Sequence, residues 1–271
     1  MTQTIDLGGT TLAYEEFGSG EPVVLVMGAG SPGRVWRAHQ VPALVAAGLR
    51  VIVFDARGVG GSSAGPEGFT LDDLRDDLAG LLEKVAGGPA HVVGTSLGAR
   101  VAQHLALTRP ELVRRLALLA TRGRTDAALS AFSHAQIALH DHGVVLPEEV
   151  RAALGALANL SPASLREEIE AEDWLAILGM APATPSAGVR AQFAAALTGF
   201  PPSVSAFAAI TAPTLVVSFA DDRLSPPYLG EEMAQVIPDA RLEVVADAGH
   251  FGYLERPAEV NRLLVEFFTA P

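Results

Sequence analysis

The sequence predicts an α/β fold with a mainly parallel central sheet, an N-terminal antiparallel hairpin and an inserted helical cap. Three observations support this prediction. Short apolar runs rich in β-branched residues recur along the chain, as is typical of strands buried on both faces. Helical patterns lie between these runs. The alternation stops between about residues 122 and 210. With 271 residues, of which 49 % are hydrophobic, the chain is long and apolar enough for one such core.

The predicted strands begin with the segment TIDLGGTTLAYEEFG, which alternates and turns at Gly8 and Gly9 as an antiparallel hairpin does. Six continuous apolar runs follow. They are VVLVM (23–27), RVIVF (50–54), HVVG (91–94), RLALLA (115–120), TLVVSF (214–219) and LEVVA (242–246).

Helices are predicted over residues 70–86, 97–108, 227–236 and 257–269. The first has its leucines on one stripe, and Thr70 with Asp73 resembles a capping pair. Residues 122–210 look helical but are cut into short pieces by prolines. We therefore expect an α/β core formed by residues 1–121 and 211–271, with a helical cap, or lid, over residues 122–210.

Composition excludes several classes of function. The net charge of −12 offers no basic surplus for nucleic acid or an anionic membrane surface. The chain has no cysteine, so thiol catalysis and thiolate metal sites are excluded. No signal peptide or membrane span is apparent, and a cytoplasmic protein is expected. The histidines of His140-Asp141-His142 do not share a helix face, so no metal site is predicted.

A glycine fingerprint raises an alternative function. Directly after VVLVM the chain reads Gly28-Ala29-Gly30-Ser31-Pro32-Gly33, a formal G-x-G-x-x-G, and Asp55 ends the next strand. These are signals of an NAD(P)-binding oxidoreductase. Pro42 would break the helix that should follow, and a hairpin precedes the strand. Both features weigh against a dinucleotide, and no cofactor is predicted.

Two segments match G-x-S-x-G, the pattern of a serine nucleophile. Ser62 is followed by a turn-rich loop, whereas Ser96 ends one predicted strand and opens a predicted helix. A strand–serine–helix elbow projects the hydroxyl from the sheet edge. Ser96 is therefore the candidate nucleophile.

A serine needs a general base, and a histidine held by a carboxylate is the usual one. His250 follows the last predicted strand, and Asp221 and Asp222 follow the strand before it. Because ligands bind at the carboxyl ends of strands in open α/β sheets, these side chains are expected to meet Ser96. The chain order Ser, Asp, His also fits this type of fold.

With these motifs the chain resembles the α/β-hydrolase superfamily over nearly its full length, in its branch of serine esterases, cofactor-free haloperoxidase-like enzymes and polyketide methylesterases. The resemblance is carried by the turn 27–30, by D-x-R-G-x-G-x-S at residues 55–62, by the elbow 94–98 and by the two C-terminal blocks. It implies that Asp222 rather than Asp221 is the acid, because the family's spacing to a proline fits Pro226. It also implies that the backbone N–H groups of Ala29 and Leu97 form an oxyanion hole. The chain has Met27-Gly28 where the family often has His-Gly.

We therefore expect a serine hydrolase acting on a carboxylic ester, lactone or thioester of a small apolar acyl substrate, without a cofactor. Alternatives are a carbon–carbon bond hydrolase or haloperoxidase-like enzyme on the same triad, and a non-hydrolytic binding or cyclising protein. The sequence leaves the oligomeric state open. Expected residues of the substrate pocket are Trp36, Trp174, Met180, Phe193 and Phe251.

Overall fold

The computed structural model describes residues 1–65 and 68–270 and contains one eight-stranded sheet in the order β1-β2-β4-β3-β5-β6-β7-β8. Strands β3 to β8 pair in parallel, whereas β1 pairs with β2, and β2 with β4, in the antiparallel direction. The predicted α/β-hydrolase fold is thus confirmed. The strands are β1 (Gln3–Asp6), β2 (Thr11–Phe17), β3 (Glu21–Val26), β4 (Leu49–Phe54), β5 (Ala90–Thr95), β6 (Val113–Leu119), β7 (Thr214–Phe219) and β8 (Ala240–Val245).

Helices cover both faces of the sheet and bury two apolar clusters against it. Short 3₁₀ helices span Gly33–Ala38, Pro110–Leu112 and Val204–Ala209. The α-helices are α1 (Gln40–Ala46), α2 (Leu71–Leu81), α3 (Leu97–Thr108), α4 (Ala127–Asp141), α5 (Glu148–Asn159), α6 (Pro162–Arg166), α7 (Glu168–Gly179), α8 (Ala187–Ala196), α9 (Pro227–Val236), α10 (Gly252–Glu255) and α11 (Pro257–Thr269).

Local sequence explains where helix α2 begins and ends. Thr70 and Asp73 form a reciprocal capping box, in which each side chain accepts a hydrogen bond from the other residue's backbone N–H. The helix then changes to a π-helical turn over Leu82–Ala86 and stops at Gly87, whose φ is 89°. That left-handed conformation suits glycine, so the predicted helix 70–86 ends where the chain can reverse.

The segment 122–210, which we call the insertion, connects β6 to β7 and carries helices α4 to α8. Helix α8 approaches the core so closely that a Cβ on Gly58 would lie 2.7 Å from the Cα of Gly188. Two glycines facing each other therefore permit this contact between the insertion and the core. Within the described part of the chain, no helix is both long and apolar enough to cross a membrane.

Candidate active site

Ser96 occupies a tight elbow between β5 and α3. Its φ of 53° and ψ of −115° are strained for a residue with a side chain. A Cβ on Gly94 would collide with the carbonyl of Gly98, and a Cβ on Gly98 would collide with the carbonyl of Val26. The glycines on either side of the serine are thus required because backbone segments meet there.

Three side chains that are far apart in the sequence meet at this elbow. The Nε2 atom of His250 lies 3.0 Å from the Ser96 Oγ, and its Nδ1 atom lies 2.8 and 3.0 Å from the two carboxylate oxygens of Asp222. A carboxylate only accepts hydrogen bonds, so the Nδ1–H donates to Asp222. This leaves the lone pair of Nε2 free to accept the proton of the serine hydroxyl.

The carboxylate of Asp222 is buried but well supplied with donors. Its Oδ1 atom also accepts hydrogen bonds from the backbone N–H groups of Leu224 and Ser225, both at 2.8 Å. Burial alone would raise the pKa of Asp222, yet the adjacent His250 and these N–H groups hold that pKa below its usual value. The carboxylate is therefore ionised at neutral pH and can orient the imidazole.

Beside the elbow, the turn after β3 lines the same space. A Cβ on Gly28 would lie 3.3 Å from the Ser96 Cβ, so this turn packs directly against the serine. Ala29 and Leu97 both line the cavity that contains Ser96. Leu97 is the first residue of α3, where helix N–H groups favour negative charge. The arrangement can receive an oxyanion formed on a substrate bound at Ser96.

Gln192 of α8 braces this turn, and sequence analysis missed it. Its Oε1 accepts a hydrogen bond from the Gly30 N–H at 2.7 Å, and its Nε2 donates to the Arg57 carbonyl at 2.9 Å. The side chain is buried, with 1 % exposed. No local motif marks the residue, because its partners lie more than 130 positions earlier in the chain.

The glycine fingerprint and the second serine have structural roles. The carboxylate of Asp55 accepts hydrogen bonds from the N–H groups of Gly33 and Gly61 at 2.7 and 2.8 Å, which occupies both of its oxygens. The Ser62 hydroxyl donates to the Asp55 carbonyl and accepts from the Ala13 N–H. Asp55 is thus committed to its own loop rather than presented to a ribose, and Ser62 joins that loop to β2.

A cavity of about 270 Å³ opens above Ser96 and His250. The expected pocket residues Phe193 and Phe251 both line it. Its other side chains come mainly from the elbow region and the insertion. They include Met27, Ser31, Leu129, Phe132, Ser133, Gln136, Asn159, Leu178, Ala181, Ala196, Leu224 and Tyr253.

The other three expected pocket residues do not line this cavity, which corrects the sequence prediction. Trp36 is fully buried behind Tyr253, with ring centroids 4.8 Å apart. Met180 points to solvent with 83 % of its surface exposed. Trp174 lies near Glu170 on α7, and this helix contributes Leu178 instead.

Two arginines line the cavity and were not among the predicted site residues. They are Arg122, which follows β6, and Arg151 on α5. Like Ser96, Asp222 and His250, Arg122 comes just after the carboxyl end of a strand. Its strand, β6, lies between the strands that precede Ser96 and Asp222. A further arginine of the insertion, Arg190 on α8, pairs with Asp141 at 2.9 Å.

The sequence matches the alpha/beta hydrolase fold family over residues 21–257. It is 44 % identical, over 96 % of this chain and 98 % of the relative, to a Mycobacterium tuberculosis protein provisionally named non-heme bromoperoxidase BpoC. The crystal structure of that protein superposes with a TM-score of 0.90, covering 96 % of both chains. A provisionally named carbamate hydrolase, RutD from Azorhizobium caulinodans, is 32 % identical over 96 % of both chains. The comparisons thus support an enzyme of hydrolase or haloperoxidase-like type.

Proposed function

Because the chain belongs to the alpha/beta hydrolase fold family, we propose that it is a serine hydrolase of carboxylic esters, lactones or thioesters. The observation that carries this proposal is the position of His250, whose two ring nitrogens contact Ser96 and Asp222 at hydrogen-bond distance. The nucleophile, the general base and the orienting acid are thereby connected by hydrogen bonds.

The proposed reaction runs in two acyl transfers. His250 takes the proton of Ser96 while Oγ attacks the substrate carbonyl, and the resulting oxyanion lies between the N–H groups of Ala29 and Leu97. Collapse of the tetrahedral intermediate expels the alcohol or thiol, which receives the proton from His250. A water molecule activated by His250 then hydrolyses the acyl-enzyme. Asp222 stabilises the imidazolium in both steps.

The size and lining of the cavity favour a small acyl substrate. Its volume of about 270 Å³ lies just below the range of roughly 300–1,000 Å³ for small-molecule sites. Apolar side chains from the insertion, such as Leu129, Phe132 and Phe193, form much of the wall. The insertion would therefore act as a cap that shields the acyl-enzyme from bulk water.

A second candidate function is halide oxidation, the activity in the name of the mycobacterial relative. The same acyl-enzyme would serve if hydrogen peroxide replaced water, since attack by peroxide yields a peracid and restores Ser96. The peracid would then transfer an oxygen atom to bromide, giving hypobromite and the carboxylate. Bromination of an organic acceptor in the presence of acetate, hydrogen peroxide and bromide tests this candidate. Ser96→Ala is the control.

The main proposal is tested by labelling the protein with a fluorophosphonate and locating the adduct by mass spectrometry. We expect a single adduct on Ser96 and none in Ser96→Ala. A panel of 4-nitrophenyl esters and acyl thioesters of increasing chain length should then show highest kcat/KM for short acyl groups. An adduct on a different residue, or a folded protein that takes up no label, contradicts the proposal.

A further inference from the structure

The charge of the cavity wall differs from that of the protein as a whole. The chain has a net charge of −12, yet the described residues that line the cavity include two arginines and no aspartate or glutamate. A pocket meant for a wholly apolar substrate has no need of buried cations, because removing a charge from water costs free energy. The two arginines therefore require an explanation.

Arg122 lies at the centre of the site and is poorly satisfied. It is 1 % exposed, and within the described part of the chain its guanidinium makes one long hydrogen bond, 3.3 Å from Nη1 to the Ser225 Oγ. Its Nε–H has no partner among the described residues. Burial lowers the pKa of Arg122 to about 10, so the group still carries its charge at neutral pH.

The carboxylates near Arg122 are engaged elsewhere. Asp222 accepts its hydrogen bonds from His250 and from two backbone N–H groups. Asp126 caps α4 by accepting from the Leu129 N–H at 2.8 Å, and it accepts from the Tyr228 hydroxyl at 3.0 Å. Both attract Arg122 through space, but neither forms a hydrogen bond with its guanidinium.

Two further arginines near the site, the partly buried Arg151 and the buried Arg100, donate to backbone carbonyls. Arg151 lines the cavity, donates to the carbonyls of Leu146 and Gly179, and has an Nε–H without an acceptor. Arg100, buried nearby on α3, donates to two backbone carbonyls of the insertion and lies over the Phe200 ring. Two arginines thus line a site whose nearby acids are already occupied, and a third lies close to Arg122 on α3.

The backbone holds Arg122 in place before any substrate binds. Ala120, just after β6, has a φ of 47°, which is strained for alanine. Gln103 of α3 then donates to the Thr121 hydroxyl and to the Arg122 carbonyl at 2.5 and 3.1 Å. Since the strand end is fixed at both points, the backbone that carries the guanidinium is set before a ligand binds.

We propose that the substrate carries a carboxylate in addition to its scissile acyl group, and that Arg122 binds this carboxylate. The inference rests on the proposed function, whose substrate class it narrows to esters, lactones or thioesters of small carboxylate-bearing acids. A guanidinium binds a planar carboxylate with paired N–H donors. Arg151 on α5 also lines the cavity and adds positive potential there.

Hydrolysis of two matched esters tests the proposal. Mono-4-nitrophenyl glutarate and 4-nitrophenyl glutaramate have the same shape and differ in a terminal carboxylate or amide. We expect kcat/KM to be at least about 10-fold higher for the glutarate, because a hydrogen bond to a charged group contributes about 1.5–3 kcal/mol, or 10- to 150-fold. In Arg122→Met this preference for the glutarate should fall by a similar factor. Arg124 is exposed and pairs with Glu232, so the control variant Arg124→Met should retain the preference.

Binding to Ser96→Ala separates this inference from the proposed hydrolysis. Calorimetry with monomethyl glutarate and methyl glutaramate should show the same preference without any reaction. Equal binding of the two ligands overturns the carboxylate site even if Ser96 is labelled by fluorophosphonate. A carboxylate preference in a protein that resists labelling instead rejects the hydrolytic function alone. If Arg122→Met lowered the activity toward both esters by the same factor, the carboxylate-binding role would be wrong. Arg122 would then only support the position of Asp222.

Discussion

The Nδ1 atom of His250 lies within 3.0 Å of both carboxylate oxygens of Asp222, while the neighbouring Asp221 makes no such contact. Asp221 instead donates its backbone N–H to the Ala248 carbonyl. The turn that carries the two acids therefore directs one carboxylate to the imidazole and holds the other aside. The proposed role of Asp222 as the acid therefore rests on backbone geometry rather than on residue type.

Replacing Asp222 with asparagine is expected to lower kcat by about 10³- to 10⁴-fold, because an amide can donate to Nδ1 and so stabilise the wrong tautomer. The measurement is ester hydrolysis under saturating substrate, with folding checked by circular dichroism. Asp221→Asn is the matched control and should retain most of its activity. If Asp221→Asn lowered kcat more than Asp222→Asn, Asp221 would be the acid instead.

The two G-x-S-x-G serines should respond in opposite ways to substitution. Ser62→Ala removes hydrogen bonds to the Asp55 carbonyl and the Ala13 N–H, so we expect a loss of about 1–3 kcal/mol in the free energy of unfolding. Fluorophosphonate labelling should continue in this variant. Ser96→Ala should lose labelling and keep its stability. Urea unfolding and mass spectrometry distinguish the outcomes, and a loss of labelling in a folded Ser62→Ala would contradict the assignment.

Local patterns predict the strands and the strand-end positions well. The apolar run 214–219 coincides with β7, and the helix 97–108 coincides with α3. A buried strand needs a continuous apolar run, and the carboxyl ends of neighbouring parallel strands lie at one edge of the sheet. Ser96, Asp222 and His250 therefore follow strands that the sequence itself marks.

Side-chain orientation and long-range contacts are less visible in the sequence. Trp36 and Met180 were expected in the pocket, yet one packs in the core and the other faces solvent. Their placement depends on the rotation of each helix against its neighbours, which composition does not fix. The importance of Gln192 and Arg122 for the site depends on contacts with residues that are distant in the sequence. Burial, not residue type, separates Arg122 from the exposed Arg124 two positions later.

Gln192→Met is expected to slow the reaction by disturbing the turn after β3, which carries Ala29, a proposed oxyanion donor. The variant removes the acceptor for the Gly30 N–H and the donor to the Arg57 carbonyl. A small displacement of the neighbouring Ala29 N–H would lower kcat by about 10- to 100-fold. The rate of Ser96 labelling should fall with kcat. The exposed Gln235, changed to Met, is the control, and a Gln192→Met enzyme with unchanged kcat would contradict the bracing role.

The elbow should not tolerate a methyl group at Gly98. A Cβ there would collide with the backbone carbonyl of Val26, which cannot move without disturbing β3. We expect Gly98→Ala to lose about 3 kcal/mol or more in the free energy of unfolding, or to fail to fold. In the control Gly80→Ala, on α2, the three atoms nearest to the new Cβ all belong to the side chain of Leu7. Urea unfolding of this control should change by less than about 1 kcal/mol.

The stability of the protein should fall in mildly acidic solution because His91 is buried. The ring stacks on Phe268 with centroids 4.8 Å apart, and its Nε2 lies 3.5 Å from the Glu21 carboxylate. Burial lowers the pKa of His91 despite this carboxylate. Below about pH 6.5 the unfolded chain therefore binds a proton that the folded protein does not. Stability is then lost as the pH falls from this value toward the lower folded-state pKa.

Urea unfolding at pH 7.5 and 5.0 measures this effect. We expect the wild-type free energy of unfolding to be lower at pH 5.0, and His91→Leu to reduce the difference because it removes the buried titrating ring. Some pH dependence should remain, since burial also lowers the pKa of His104. Replacing the exposed His134 with leucine should leave the wild-type difference intact. If His91→Leu showed the full wild-type difference, proton uptake at His91 would not be its source.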